Sequence, residues 1–560
     1  MATHTHTTTR RGAIVGAITA AIGLMAAIGV TALPAGAISP TDTGTVTVSG
    51  IEPEATATAY RILDVHYDHA ADRPANPQYT WTPGMRDWMT EHYPQYIGEQ
   101  GTVTDQYADL TPDPVADPGY ATEISAFTDA VSGAIAADKV TPAATVTGAN
   151  SKQPAQDGSV SAQFDLSMGG YVIHATGGAY VYRAVMANVA PAFHDGGWHI
   201  DPVTIASKRA RPGVDKSVNE TVPGHVTGKD VHGTGSDSAG VGERVTFDLR
   251  ADVPVFPAKA VNKRFVIADA MDPGLDLDAG SIIVSGVAAD AKETTLTAGT
   301  DYALTVDGAK DLDGNAVTFL IDLSGSRHAK VVGYRRIHVR YSATVNAKAV
   351  IGPEGNHNEV VLQYSSNPYA QDDHRTERDD VTVFVYGLRI LKTGSDNQPL
   401  SGAAFSLLDA DGNAMPVIAV DEARGRYRLP EAGETGNPDV PLRVSAEEDS
   451  LGRLSIAGLD QGKYSLRETE APGGYVLNTV PIAFTITDTG KTEDGLGEYT
   501  GNVIGQEADA PGYVFGSIAN FKGGLPSTGG IGTVALSAVG IMLIAGGLVL
   551  AAPHIGRRRA

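Results

Sequence analysis

The reactive groups available to this chain are amines, carboxyls and carboxamides. Cysteine is absent, which excludes disulfides, thiolate metal sites and cysteine nucleophiles. No Gly-x-Ser-x-Gly, His-Glu-x-x-His or phosphate-loop pattern occurs. Two lysines lie on strands that open a unit of the chain. Lys392 ends the run Leu388-Arg389-Ile390-Leu391-Lys392, and Lys216 lies in Asp215-Lys216-Ser217-Val218. A lysine buried among apolar strand residues has its charged form disfavoured, so its neutral amine becomes a nucleophile. A carboxyl buried beside it is pushed towards its protonated form, in which it can hydrogen-bond to a carbonyl and polarise it. One such carboxyl, Glu468, stands in Tyr464-Ser465-Leu466-Arg467-Glu468-Thr469-Glu470-Ala471-Pro472-Gly473-Gly474-Tyr475.

These groups need rigid elements to hold them, and the pattern calls for strands. Runs such as Thr45-Val46-Thr47-Val48, Arg244-Val245-Thr246-Phe247-Asp248-Leu249 and Ile337-His338-Val339-Arg340-Tyr341 alternate apolar with polar residues. Gly (65) and Pro (31) are plentiful and aromatics are 6%, a mix suited to turn-rich β domains. The expected fold is all-β: tandem immunoglobulin-like sandwiches with a minor helix over 121–137, where Ile124, Phe127, Val131 and Ile135 recur every three or four residues. At 560 residues the chain is too long for one core. Units are expected over 38–207, 208–384 and 385–521. The net charge of −23 excludes a nucleic-acid partner, since phosphates would be repelled.

Both ends read as export signals. Arg10-Arg11, an apolar run and the small-x-small site Ala35-x-Ala37 describe a signal peptide over 1–37. At the other end Leu525-Pro526-Ser527-Thr528-Gly529 precedes an apolar stretch over 532–552 and Arg557-Arg558-Arg559. That stretch is long enough for a transmembrane helix, with the arginines on the cytoplasmic side. Motif, span and basic tail, over 525–560, resemble the cell-wall sorting signal of Gram-positive surface proteins. The resemblance implies cleavage by a sortase between Thr528 and Gly529, with Thr528 as acyl donor to an amine.

The third unit resembles the collagen-binding-protein B-type (Cna-B-type) domain of Gram-positive pilins, through the lysine strand, the Glu-Thr-x-Ala-Pro-x-Gly-Tyr box and the closing Ile518-Ala519-Asn520. The resemblance implies an isopeptide bond between Lys392 and Asn520, promoted by Glu468. The second unit resembles the isopeptide-forming domain of fimbrial shaft subunits, through Asp215-Lys216-Ser217-Val218, Phe265-Val266-Ile267-Ala268-Asp269 and Asn358-Glu359-Val360-Val361. There the resemblance implies a bond from Lys216 to Asn358, with Asp269 as the acid and Glu243 or Asp248 as alternatives. The first unit has no lysine between Ile38 and Asp138, so no such bond is expected in it.

Trp198-His199-Ile200-Asp201-Pro202-Val203-Thr204-Ile205-Ala206-Ser207-Lys208 resembles the pilin motif, with one extra residue and Ala206-Ser207 in place of Tyr-Pro. Carried over, Lys208 is the amine that receives Thr528 of the next subunit from a linker position. Asp311-Leu312-Asp313-Gly314-Asn315 and Asp409-Ala410-Asp411-Gly412-Asn413 look like starts of calcium loops but lack the later ligands, so they are read as turns, and no metal or cofactor is expected. Trp81, Trp88, Tyr60, Tyr67, Tyr79, Tyr93 and Tyr96 are assigned to packing rather than sugar binding. The expectation is a non-enzymatic shaft subunit of a covalent fimbria, secreted and then attached to the cell wall. Its implied partners are sortase, identical subunits in a linear polymer, minor tip and base pilins, peptidoglycan and an unidentified host receptor. The alternatives are a singly anchored or minor surface adhesin and, less favoured, a wall-anchored enzyme.

Overall fold

The structure, a computed structural model, describes residues 38–39, 41–68, 75–103, 118–147, 155–220, 235–257, 260–491, 496–501 and 511–523. The signal peptide with Ala35 and Ala37, the sorting residues Leu525, Pro526, Thr528 and Gly529, and the expected span over 532–552 lie outside the described residues. Among the described residues no helix is long and apolar enough to cross a membrane.

In the N-terminal unit, Thr43–Ile51 buries Val46 and Val48 by period-2 alternation, and Ile51 after a register shift at Ser49/Ile51. It pairs antiparallel with Val160–Ser167 and parallel with Val203–Ala206. Against it packs a five-stranded sheet built on Thr56–Asp68 and Gly169–Thr176. The latter strand sends Tyr171 and Ile173 into this core, and Val172 into a second core on its other face. Two helices cover that second face. Pro118–Ala136 is the expected one and buries Ile124, Phe127, Val131 and Ile135. Pro83–His92 was not foreseen, because its buried stripe is only Met85 and Met89, too short for a periodicity argument. Trp81 and Tyr96 are buried in the same core, with Tyr60, Tyr79, Trp88 and Tyr93 packed partly against it.

The middle unit is a sandwich of a five- and a six-stranded sheet. The first begins at its edge with Val214–Glu220, followed by Arg244–Asp252 and Arg336–Val345. The second centres on Asn356–Tyr364, flanked by Phe265–Met271 and Arg375–Phe384. The C-terminal unit has two five-stranded sheets. In one, the opening strand Tyr386–Gly394 lies parallel to the closing strand Tyr513–Asn520. The other contains Gly462–Glu470.

Middle and C-terminal units share one continuous apolar core. Phe384, Val385 and Tyr386 are fully buried at the junction, and Val241 N–H donates to the Gly458 carbonyl at 2.9 Å. Gly458 has φ +87°, and a Cβ there would stand 2.8 Å from Val241 Cγ2, so this close approach requires glycine. The N-terminal unit meets the middle one through more polar contacts. Tyr364 donates to the Ala179 carbonyl at 2.5 Å, Arg211 forks onto Glu377, and His174 stacks on Tyr369 with ring centroids 4.3 Å apart.

Candidate functional site

Each lysine singled out above sits at an inward position of a strand. In Tyr386–Gly394, Leu388, Ile390 and Lys392 point inward; in Val214–Glu220, Lys216 and Val218 do. Lys392 is fully buried and Lys216 is 4% exposed. Burial lowers both amines from the ordinary lysine range, Lys392 to about 8.

In the C-terminal centre the lysine Nζ donates to Asn520 Oδ1 at 2.6 Å and to the Ile518 carbonyl at 2.9 Å. Glu468 enters from the opposite sheet, at an inward position after Tyr464 and Leu466. Its Oε1 stands 3.8 Å from Lys392 Nζ. Its closer contacts are with the carboxamide nitrogen: Asn520 Nδ2 donates to Oε1 at 3.1 Å and to Oε2 at 3.0 Å. Nδ2 also donates to the Val476 carbonyl at 2.9 Å, and Asn478 N–H fixes the carboxylate at 2.7 Å. The acid thus holds the amide nitrogen, while the amine faces the amide oxygen.

The middle centre is arranged differently. Lys216 comes from one sheet, and Asp269 and Asn358 from adjacent strands of the other, so the group bridges the sandwich. Lys216 Nζ donates to Asn358 Oδ1 at 2.6 Å and to Asp269 Oδ2 at 2.5 Å. Here the acid contacts the amine. Asp269 and Asn358 are both fully buried, and burial raises the aspartate above the usual carboxylate range. Phe247 and Tyr341 rings lie 5.5 and 5.8 Å from the amine. Isolating these charges from water is costly unless they share or lose protons, which favours a neutral amine beside a neutral acid.

The alternative acids lie elsewhere. Asp248 alternates outward from Phe247 and Leu249, and pairs with His338 and Arg250. Glu243 accepts from Gly240 N–H at 2.5 Å. Tyr341 was missed at this centre, although its strand was recognised. Ile337, Val339 and Tyr341 alternate inward, but sequence alone does not say what a tyrosine meets across a sandwich.

Lys208 is not in a linker. It opens the strand Lys208–Ala210, which pairs antiparallel with Val181–Arg183 of the N-terminal unit, and its side chain is exposed. Trp198 is half-buried and packs edge-on against Phe193 at 5.3 Å. The two Asp-Gly segments are turns: Asp311 Oδ1 accepts from Asp313 and Asn315 N–H, and Asp409 Oδ1 from Asp411 and Asn413 N–H.

Two sandwiches in tandem each hold a buried lysine–acid–asparagine centre, and the chain is similar to Gram-positive surface subunits. Residues 241–368 match the Gram-positive pilin backbone subunit 2, Cna-B-like domain; residues 387–497 match the SpaA prealbumin-like fold domain; residues 517–560 match the LPXTG cell wall anchor motif. Homologues of the chain are Gram-positive pilin backbone subunits, and the anchor motif marks a protein attached to the cell wall. The chain is 25% identical over 311 residues to the trypsin-resistant surface T6 protein of Streptococcus pyogenes serotype M6, covering 52% of this chain and 49% of that protein. It is 26% identical over 363 residues to fimbrial subunit type 1 of Actinomyces viscosus, covering 60% and 64%. The matches therefore span about half to under two thirds of those relatives. The solved T6 backbone pilin of S. pyogenes, described as a modular three-domain structure, shares the fold at a TM-score of 0.57 and 18% identity, over 87% of this chain and all of that one.

Proposed function

We propose that this chain is the shaft subunit of a covalent surface fimbria serving in adhesion, with Lys216 joined to Asn358 and Lys392 to Asn520 by isopeptide bonds. One observation carries the internal bonds: each buried amine lies 2.6 Å from the carboxamide oxygen of its asparagine. In each reaction the Nζ–Cγ bond forms, the Cγ–Nδ2 bond breaks, and one proton passes from Nζ to Nδ2, which leaves as ammonia. In the middle unit Asp269, itself protonated, takes the amine proton as it passes its own on. Glu468 steadies the leaving nitrogen in the C-terminal unit.

Assembly uses the two reactive ends of the same molecule. A sortase cleaves after Thr528 and transfers its acyl group to Lys208 of the next subunit, or to peptidoglycan at the base. Minor tip and base pilins complete the fibre. The exposure of Lys208 on a short strand supports it as the acceptor over the buried Lys216 and Lys392. The test is an immunoblot of wall extracts in denaturant. Wild type is expected to give a high-mass ladder and Lys208→Ala only monomer. A ladder that persists in Lys208→Ala moves the acceptor to another lysine, Lys229 or Lys139 first. A single sharp band from wild type means the protein is anchored singly.

A further inference from the structure

The two centres use acids of different length, and the difference leaves a gap in one of them. Glu468 reaches the leaving nitrogen of Asn520 directly, at 3.0 and 3.1 Å. Asp269, one methylene shorter, has one oxygen 2.5 Å from the attacking amine and the other buried without a hydrogen-bond partner. Among the described residues it has no hydrogen bond to Asn358 Nδ2. The group that does is Tyr341. Asn358 Nδ2 donates to Tyr341 Oη at 3.1 Å, and Tyr341 O–H donates to Asp269 Oδ2 at 2.5 Å. Amine, carboxyl, phenol and leaving nitrogen thus form an unbroken chain of contacts. Tyr341 is 1% exposed, so no water channel is needed to complete it.

Resting on the isopeptide reading above, we propose that Tyr341 is a catalytic residue of the middle unit, relaying the proton from Asp269 to the departing Asn358 nitrogen. As Lys216 Nζ bonds to Asn358 Cγ, the Tyr341 hydroxyl gives its proton to Nδ2 and takes the carboxyl proton of neutral Asp269, whose Oδ2 then receives one proton from Nζ. The Cγ–Nδ2 bond breaks, ammonia leaves, and aspartate and tyrosine end as they began. Nζ loses one proton and Nδ2 gains one, so the step balances. A phenol kept from ionising by burial is suited to this role, because it holds a proton to give until it receives another.

The test uses the full mature chain, refolded from denaturant and sampled over time by mass spectrometry after proteolysis, with the C-terminal bond as internal control. In wild type both cross-linked peptides are expected. Tyr341→Phe keeps the ring against Phe247 and Phe319. It is expected to slow the Lys216–Asn358 bond at least tenfold, with Lys392–Asn520 forming at its normal rate. A general acid typically contributes about 10²–10⁴-fold. An unchanged rate in Tyr341→Phe overturns the relay and leaves the isopeptide reading standing. Absence of the middle bond from wild type overturns that reading itself. Should Tyr341→Phe unfold the middle unit, 3,5-difluorotyrosine incorporated at 341 keeps the shape and makes the hydroxyl more acidic. A changed bonding rate then supports the relay, and an unchanged one refutes it.

Discussion

The middle and C-terminal units each hold a lysine 2.6 Å from an asparagine, but place the pair at different points of the sandwich. In the C-terminal unit the partners lie near the ends of the opening and closing strands, which are parallel neighbours in one sheet. The proposed bond ties Asn520, where the chain leaves, to Lys392 near the far end of the opening strand that starts at Tyr386. In the middle unit the proposed bond crosses between sheets. Its asparagine is on the next-to-last strand, and the closing strand Arg375–Phe384 follows it. A bond from the opening strand to the exit carries tension past the rest of the unit. A bond set one strand in leaves that last strand in the path of the force. The N-terminal unit has no lysine on its opening strand and is expected to rely on packing alone.

Pulling single molecules separates the three cases most widely. The N-terminal unit is expected to unfold fully, releasing Thr43 to Ala210 as up to roughly 550–600 Å of chain at about 3.3–3.6 Å per residue. The middle unit should release only Glu359 to Phe384, roughly 90 Å on the same scale. The C-terminal unit should release nothing beyond its opening strand. A middle unit that yields no step would mean its final hairpin resists without covalent help.

Breaking one bond at a time comes next in size. The proposed cross-links would close loops of 142 and 128 sequence steps. If they act on the unfolded chain as a disulfide does, Asn358→Ala and Asn520→Ala should each cost their own unit roughly 5 kcal/mol. Denaturant titration with unit-specific probes reads this. Because the two units share one core, some loss is expected to reach the neighbour.

The acids should then show their different roles. Asp269→Asn removes the group touching the amine and is expected to abolish the middle bond. Glu468→Gln retains an oxygen able to accept from Asn520 Nδ2 and should only slow the C-terminal one. Mass after timed refolding distinguishes loss from delay.

The smallest effect is on pH. Attack requires a neutral amine, so C-terminal bonding should accelerate as pH rises towards about 8, where Lys392 titrates, and level off above it. In Asn520→Ala the lysine stays free, and its folded-state value lies below the unfolded one. Folding then releases protons, so stability should increase from about pH 8 up to the ordinary lysine range and be flat beyond. The middle pair, holding its shared proton between Lys216 and Asp269, should respond less to bulk pH over this interval.

Much of the C-terminal centre was legible because its strands alternate. Lys392, Glu468 and Asn520 each continue an inward series, after Ile390, Leu466 and Ile518, so a period of two already turned them to the core. The same reasoning could have removed Asp248, which alternates outward from Phe247. It could not have selected Asp269, because Phe265 to Asp269 is buried throughout and offers no alternation to read. Tyr341 remained hidden for another reason: its inward direction was readable, but its contacts come from the facing sheet and depend on how two sheets are set against each other. Lys208 was read as linker because three residues between polar neighbours are too few for a strand signal, and its pairing with Val181–Arg183 is set by the fold.

The most direct measurement is the intact mass of the folded mature chain, from 38 to 528, followed by peptide mapping. Each bond expels one ammonia, about 17 Da, so the chain should weigh about 34 Da less than its sequence requires. Mapping should return two branched peptides, one joining Lys216 to Asn358 and one joining Lys392 to Asn520. A folded chain at its full sequence mass, or a deficit mapped to other residues, would contradict the account.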